Sequence, residues 1–235
     1  MATRHPNCVW QCDFLLAVNL ERVLGNDSAF STLRGLMRRK GPAECCELCS
    51  AGLFGEHEHL IEPGTRKLMC TCEACSILFS NKGTKYKRVP RRVLYLPDFQ
   101  LSDDKWDSLR VPIAMAFFFH STPDGRVLAM YPSPAGPTES LLSLEAWSEI
   151  EEDNPVLKGM AADVEALMVN RIGHARGVAP AEYFILPIDK CYELVGLIRG
   201  NWRGLSGGTE MWEKIAEFFR VVKERAQEVR REACA

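Results

Sequence analysis

Two closely spaced pairs of cysteines constrain this sequence more than any other feature. The first C-x2-C pair is Cys46 and Cys49. The second is Cys72 and Cys75, and 22 residues separate the two pairs. A C-x2-C turn directs both of its sulfurs toward one point, so two such turns that face each other place four thiolates at the corners of a tetrahedron. The spacing is slightly longer than the roughly 15–20 residues common for paired knuckles, which leaves room for a hairpin between them. The pattern predicts a small zinc-ribbon-like four-cysteine module.

Zinc is the metal that we expect in this quartet, because small residues, Ser50 and Ser76, follow each pair and the module resembles a zinc ribbon. Iron in a rubredoxin-like site uses the same four thiolates, and iron–sulfur clusters are also commonly held by four cysteines. The sequence does not separate these alternatives, so iron stays open as the second choice of cofactor.

Four further side chains beside the quartet are auxiliary candidates. Cys45 and Cys70 can each replace a neighbouring ligand or act as a redox thiol, although Cys70 breaks the two-residue spacing and we expect both to be spectators. His57 and His59 lie between the pairs. On a strand, residues two apart face the same side, so both imidazoles can converge on a metal or a substrate. The alternative is an exposed polar hairpin in which these histidines bind nothing, and the turn-rich sequence favours it.

Composition excludes several classes of protein. A chain of 235 residues can bury a core without disulfides, and its ten cysteines are too unevenly spaced for a disulfide framework. The formal net charge of -2 provides no global basic field for nucleic acid. We interpret the basic run at 82–92 as a solvated connector, with a docking surface for an acidic partner protein as the alternative and nucleic-acid contact as a weaker hypothesis.

No segment has the pattern of a secretion signal or the roughly 20 apolar residues that a membrane-spanning helix requires. We therefore expect a cytoplasmic protein with reduced thiols and no membrane span. The sequence also lacks a nucleophile elbow, a phosphate loop, a dinucleotide fingerprint and an H-E-x-x-H motif. The absence of these motifs makes an enzyme less expected without excluding one, and we assign no catalytic residue.

The chain divides into three predicted parts: a helical lead-in at 1–43, the four-cysteine module at 44–81 and an α+β domain at 82–235. In the last part, the apolar runs at 111–119 and 126–131 flank a Pro-Asp-Gly turn, which predicts a buried antiparallel pair. The remaining predicted elements are helices at 14–24, 28–39 and 143–153, strands at 164–170 and 183–188, a helix capped by Asp189 and running to Trp202, and a long C-terminal helix capped by Thr209 whose apolar spacing continues to Val229. The predicted fold class is α+β, with an antiparallel sheet, packed helices and that long C-terminal helix.

Several segments carry a resemblance to a known family: CELC, EHEHLIE, TRKLMCTCEACSILF, YKRVPRRV, IAMAFFF, YPSPAGPTES and IDKCYELVGLIRGNWRGLSGG. Over roughly residues 33–225 the chain resembles a family of uncharacterised bacterial proteins. The genes of that family commonly lie beside those for high-affinity, oxygen-tolerant nickel-iron uptake hydrogenases. The resemblance implies a role in maturation of the hydrogenase, in delivery of a metal or cluster to it, or in its assembly. Our leading hypothesis is a non-catalytic, zinc-binding accessory protein that docks a hydrogenase subunit or maturation factor. A redox or metal-transfer protein with a rubredoxin-like iron or iron–sulfur site is the alternative.

Overall fold

The computed structural model describes residues 44–81, 83–140, 144–204 and 207–230. Within these residues the fold is mixed α+β, and the strands pair antiparallel, as the sequence predicts, except for one parallel pair at an edge of the large sheet. The predicted helices at 14–24 and 28–39 lie outside the described residues, as does Ser143, the first residue of the helix predicted at 143–153.

Short strands and one short helix build the cysteine-rich part of the chain. β1 pairs with β2, and β3 and β4 form the hairpin that the turn-rich sequence predicts between the cysteine pairs. A third strand, β5, pairs with the other edge of β3, so this small sheet includes residues beyond 81. The division of the chain at residue 82 therefore stays a prediction. The elements are β1 (Glu44–Cys45), β2 (Gly52–Leu53), β3 (Glu58–Glu62), β4 (Lys67–Thr71), α1 (Glu73–Phe79) and β5 (Lys87–Arg88).

A seven-stranded sheet forms the body of the protein, in the order β12-β6-β11-β10-β7-β8-β9. The hairpin predicted around the Pro-Asp-Gly turn is confirmed, because β7 and β8 pair antiparallel and Gly125 adopts φ +62°. The strands are β6 (Leu94–Tyr95), β7 (Met115–Ser121), β8 (Arg126–Ser133), β9 (Gly136–Ser140), β10 (Glu165–Asn170), β11 (Glu182–Pro187) and β12 (Gln227–Glu228).

Helices cover both faces of this sheet, which explains the unbroken apolar run in β7. Phe117 and Phe119 point to one face and pack in the core formed with α5 and α6. Phe118 points to the other face, against Trp147 and Leu157. The helices of the body are α2 (Asp103–Ser108), α3 (Leu144–Asp153), α4 (Ile172–Ala175), α5 (Ile188–Asn201) and α6 (Thr209–Arg225), with a 3-10 helix at Pro155–Gly159.

The ends of the last two helices differ from the prediction. The C-terminal helix ends at Arg225 and does not continue to Val229, because the main chain leaves it to join the sheet edge as β12. The N–H of Gln227 donates to the Val93 carbonyl at 2.9 Å, and the N–H of Val229 donates to the Tyr95 carbonyl at 2.9 Å. These strand hydrogen bonds replace those that another helical turn would form.

Neither predicted N-cap acts as one. Helix α5 begins at Ile188 after Pro187, without a side-chain capping hydrogen bond. Asp189 is therefore inside the first turn of the helix, and its side chain does not cap it. Thr209 is the first helical residue of α6, and the cap position is taken by Gly208 with φ +78°. Only glycine adopts that backbone conformation without strain, so the glycine pair ahead of Thr209 decides where the helix begins.

Ion pairs join the basic run to buried carboxylates on both sides of it. On the side of the cysteine module, Arg88 Nε donates to Glu58 Oε2 at 2.8 Å and Arg91 Nη2 lies 2.7 Å from Glu58 Oε1. The Arg88 hydrogen bond is the main reason why the pKa of Glu58 lies below its usual value.

On the side of the body, Lys87 Nζ donates to Asp163 Oδ2 at 2.6 Å, and Arg92 forms a two-point ion pair with Glu165. These cations are partly exposed, but both carboxylates are buried. The interpretation of the run as a solvated connector is therefore wrong for these residues, because their partly exposed cations attach the module to the body through ion pairs with buried carboxylates.

Candidate metal centre

The structure brings the four cysteines of the two C-x2-C pairs together. All four sulfur atoms lie within 4.8 Å of one another. The Sγ atoms of Cys49 and Cys72 are 3.7 Å apart, far beyond the roughly 2.05 Å of a disulfide bond. A tetrahedral ion with metal–sulfur bonds of about 2.3 Å has sulfur–sulfur edges of about 3.8 Å. The Cys49–Cys72 edge matches this length, and the four sulfurs lie close enough together that the quartet could hold such an ion.

A tight turn after β1 presents the first pair. The N–H of Ser50 donates to the Cys46 carbonyl at 2.8 Å, and the N–H of Cys46 donates to the Ala51 carbonyl at 2.8 Å. Ser50 has φ +63°, which bends the chain sharply after Cys49. This closed turn places both sulfurs on its inner side.

The second pair lies where β4 passes into α1. Cys72 is the residue before the helix and Cys75 is in its first turn, so the three-residue spacing puts both sulfurs on one side. The first pair is tied to this strand, because the N–H of Glu47 donates to the Cys70 carbonyl at 2.9 Å. The Glu47 carboxylate accepts from the N–H of Cys70 at 3.0 Å in return. These two hydrogen bonds fix how the pairs face each other.

The electrostatics of the quartet favour a bound cation. Burial raises the pKa of the Cys46 thiol, but backbone N–H groups of Cys72, Cys49 and Leu48 point at its sulfur and together lower that pKa to about 6. Burial and the neighbouring sulfurs raise the pKa of Cys75. The Cys46 thiolate thus forms readily and opposes the ionisation of Cys49 and Cys75. A divalent cation at the centre would remove this repulsion.

A second group of ligand atoms lies next to the quartet. One ring nitrogen each of His57 and His59 and the sulfur of Cys70 lie within 4.8 Å of one another. His59 is directly opposite Cys70 in the β3–β4 hairpin. The side chains of His57 and His59 are only 13% and 21% exposed, so the expectation of an exposed polar hairpin is wrong for them. The fourth auxiliary candidate, Cys45, is exposed in β1 opposite Gly52 and belongs to neither group of ligand atoms found among the described residues.

Two carboxylates that the sequence does not assign to the site lie beside the histidines. Asp189 Oδ2 is 2.8 Å from His59 Nδ1, and Glu44 Oε2 is 3.4 Å from His57 Nε2. Asp189 follows His59 by 130 positions, so no local pattern could have connected them. Its place at the start of a helix suggests only a cap.

A comparison with protein families identifies the relationship of the chain. The profile of a family of unknown function, DUF5947, matches residues 45–226. The chain belongs to this family. No curated protein and no solved structure matches it. Membership confirms the resemblance to an uncharacterised family, and it carries no information about metal, activity or partner.

The region matched by DUF5947 contains both groups of ligand atoms and most of the body of the protein. It begins at Cys45 and ends one residue after α6. Among the residues that the structure describes, no helix is long and apolar enough to cross a membrane.

Proposed function

We propose that this member of DUF5947 is a zinc-binding accessory protein, in which the ion organises a docking surface for a partner in nickel-iron hydrogenase assembly. The observation that carries the metal part of this proposal is the four-sulfur quartet with its 3.7 Å edge. The docking part is carried by an exposed apolar surface on the same module.

Zinc is favoured by the number and the chemistry of the ligands. Four cysteines complete a tetrahedron, which leaves no position for water or substrate and is typical of structural zinc sites. Two short strands and a helix of seven residues bury little apolar surface around the quartet, so this region depends on the ion for its stability. The proposed role of zinc is therefore to hold the module in one shape.

Three exposed apolar side chains belong to the module that holds the quartet. Phe54, Ile77 and Leu78 are 74%, 52% and 63% exposed, and they are three of the five large apolar side chains exposed in the described part of the chain. Phe54 follows β2, and the other two lie on the outer side of α1. A group of exposed large apolar residues is typical of a protein-binding surface. We call Phe54, Ile77 and Leu78 the apolar surface of the module.

The identity of the partner comes from the resemblance of the sequence. It implies a hydrogenase subunit or a maturation factor, and the reduced thiols of the quartet fit the cytoplasm as the place where the two proteins meet. Nucleic-acid binding is not part of the proposal, because the cations of the basic run that the structure describes pair with carboxylates of the protein. These cations are Lys85, Lys87, Arg88, Arg91 and Arg92.

The metal is tested by elemental analysis and absorption spectroscopy of full-length protein purified without oxygen. We expect at least one tightly bound zinc per chain, which the Cys72→Ser variant loses. The matched control, Cys45→Ser, removes an exposed cysteine from the same module and should keep the ion. Iron in the quartet, with its visible absorption, would contradict the zinc assignment.

The docking surface is tested by co-purification from cells that produce a nickel-iron hydrogenase. A triple variant with serine at Phe54, Ile77 and Leu78 should no longer recover a hydrogenase subunit or maturation factor. Val178→Ser is the matched control, because Val178 is 76% exposed on the body, and it should recover the same partner as the natural protein. Equal recovery by both variants, or recovery of no hydrogenase component by the natural protein, would contradict the proposal.

A redox or metal-transfer protein is the second candidate function. The observations that favour it are the exposure of Cys49 and the histidines and cysteine that lie beside the quartet. Iron in the quartet with reversible bleaching of its visible absorption on reduction would support this alternative over a structural zinc ion.

A further inference from the structure

We propose that His57, His59 and Cys70 form a second metal site, which binds a borderline-soft divalent transition-metal ion such as Zn2+ or Co2+ in addition to the ion in the quartet. Two imidazoles and one thiolate are ligands that such ions prefer. The proposal does not depend on which metal the quartet holds.

The β3–β4 hairpin explains why these three side chains converge. His59 and Cys70 are direct partners across the antiparallel pair, and directly opposed residues point to the same face of a sheet. His57 is the residue immediately before β3, and one of its ring nitrogens lies within 4.8 Å of the ligand atoms of His59 and Cys70. The two imidazole rings are 4.8 Å apart between centroids, in an edge-to-face arrangement.

Hydrogen bonds orient His59 as a metal ligand. Its Nδ1 lies 2.8 Å from Asp189 Oδ2, and the carboxylate accepts the hydrogen bond, which places the proton on Nδ1. The lone pair is then on Nε2. A carboxylate that holds the far nitrogen of an imidazole is the usual support of a metal-binding histidine.

His57 is oriented in the same way by the main chain. Its Nδ1 lies 3.1 Å from the carbonyl oxygen of Gly55, and a carbonyl can only accept. The proton is again on Nδ1 and the lone pair on Nε2. This Nε2 atom is buried and makes no hydrogen bond, a condition that proteins generally avoid. A bound cation would satisfy the buried lone pair.

The Glu44 carboxylate lies next to the site, but it is not one of the three ligand atoms that lie within 4.8 Å of one another. Its Oε2 atom is 3.4 Å from His57 Nε2. The exposed Glu44 side chain also marks the side from which solvent can reach the site. The ion at this site is therefore expected to exchange faster than an ion enclosed by four cysteines.

The test is a titration with Co2+ of reduced, full-length protein whose quartet is already filled. We expect one further ion per chain, with the visible bands of four-coordinate Co2+ and a near-ultraviolet thiolate-to-cobalt band. His57→Gln and Cys70→Ser should each abolish or strongly weaken this second step, and Cys70→Ser should remove the thiolate band. The matched control is His120→Gln, since His120 also pairs with a carboxylate but lies outside the site, and it should bind as the natural protein does.

Asp189 provides a separate test of the orientation argument. Asp189→Asn should weaken the second ion by about 10–100-fold without removing it, because such supporting groups tune metal affinity. In nitrogen-15 NMR spectra of the histidine rings, added Zn2+ should shift the Nε2 resonances of His57 and His59 and leave those of His120 unchanged. This measurement requires no variant.

The proposal is overturned if the filled protein binds no second ion, or if the His57→Gln and Cys70→Ser variants bind it as tightly as the His120→Gln control. If the quartet loses its ion and the site at His57, His59 and Cys70 still binds one, only the proposed structural role of the quartet is contradicted. The two proposals can thus fail separately.

Discussion

Replacing Arg92 tests whether buried charges hold the segment between module and body in place. The Glu165 carboxylate is buried, and Arg92 contacts both of its oxygens, with Nη2 2.7 Å from Oε2. The N–H of Ala161 also donates to Oε2 at 2.8 Å. In the Arg92→Met variant the hydrophobic stem remains while the carboxylate loses its only cationic partner among the described residues.

The expected loss of stability follows from this geometry. Removing one partner of a fully buried ion pair costs about 3–5 kcal/mol. Half of the Arg92 side chain is exposed, so water can approach the carboxylate after the substitution, and we expect about 2–4 kcal/mol. This is a large share of the roughly 5–15 kcal/mol that stabilises a typical domain.

The measurement is urea unfolding of the metal-loaded protein followed by circular dichroism, with the transition checked for two-state behaviour. The matched control is Lys85→Met, whose partner Glu62 is near the surface, and we expect a loss of at most about 1 kcal/mol. The double variant with Glu165→Gln should be more stable than Arg92→Met alone, because it removes the unpaired charge. Equal losses for the Arg92 and Lys85 variants, or no recovery in the double variant, would refute the reasoning.

Two further predictions concern the cysteines. A strong chelator should expose amide hydrogens of the module to exchange while the seven-stranded sheet stays protected, as hydrogen-exchange mass spectrometry can show, and equal loss of protection in both regions would contradict a local role of the ion. Burial raises the pKa of Cys191 well above its usual value, so this thiol should not react with iodoacetamide until the protein unfolds, whereas the exposed Cys45 should react in the folded state. Equal labelling of the two thiols in the folded protein, read by peptide mass spectrometry, would contradict the placement of Cys191 in the core.

Features that depend on neighbouring residues could be predicted from the sequence. The approach of the two cysteine pairs follows from two short C-x2-C turns and a hairpin between them, and the β7–β8 hairpin follows from its Pro-Asp-Gly turn. In both cases the physical cause lies within a few residues of the feature.

Features that depend on distant parts of the chain could not be predicted from the sequence. The apolar spacing of the last helix continues to Val229, but the carbonyls of Val93 and Tyr95 at the sheet edge capture the chain after Arg225. A local pattern contains no information about an edge strand that lies more than a hundred residues earlier. The burial of His57 was missed for a similar reason, because the polarity of its own segment indicates exposure.

The Glu-His-Glu-His segment at 56–59 combines a local sequence pattern with contacts to distant parts of the chain. Along β3 successive side chains point to opposite faces, so Glu58 and His59 have different neighbours. Glu58 faces the guanidinium groups of Arg88 and Arg91, while His59 faces Asp189 of α5. The alternation therefore has two roles: Glu58 binds the basic segment that leads to the body, and His59 presents an imidazole whose orientation is set by Asp189 of the body. All three ligands of the proposed second metal site lie in the module, and Asp189 of α5 orients one of them, so packing of the module against α5 should strengthen metal binding there.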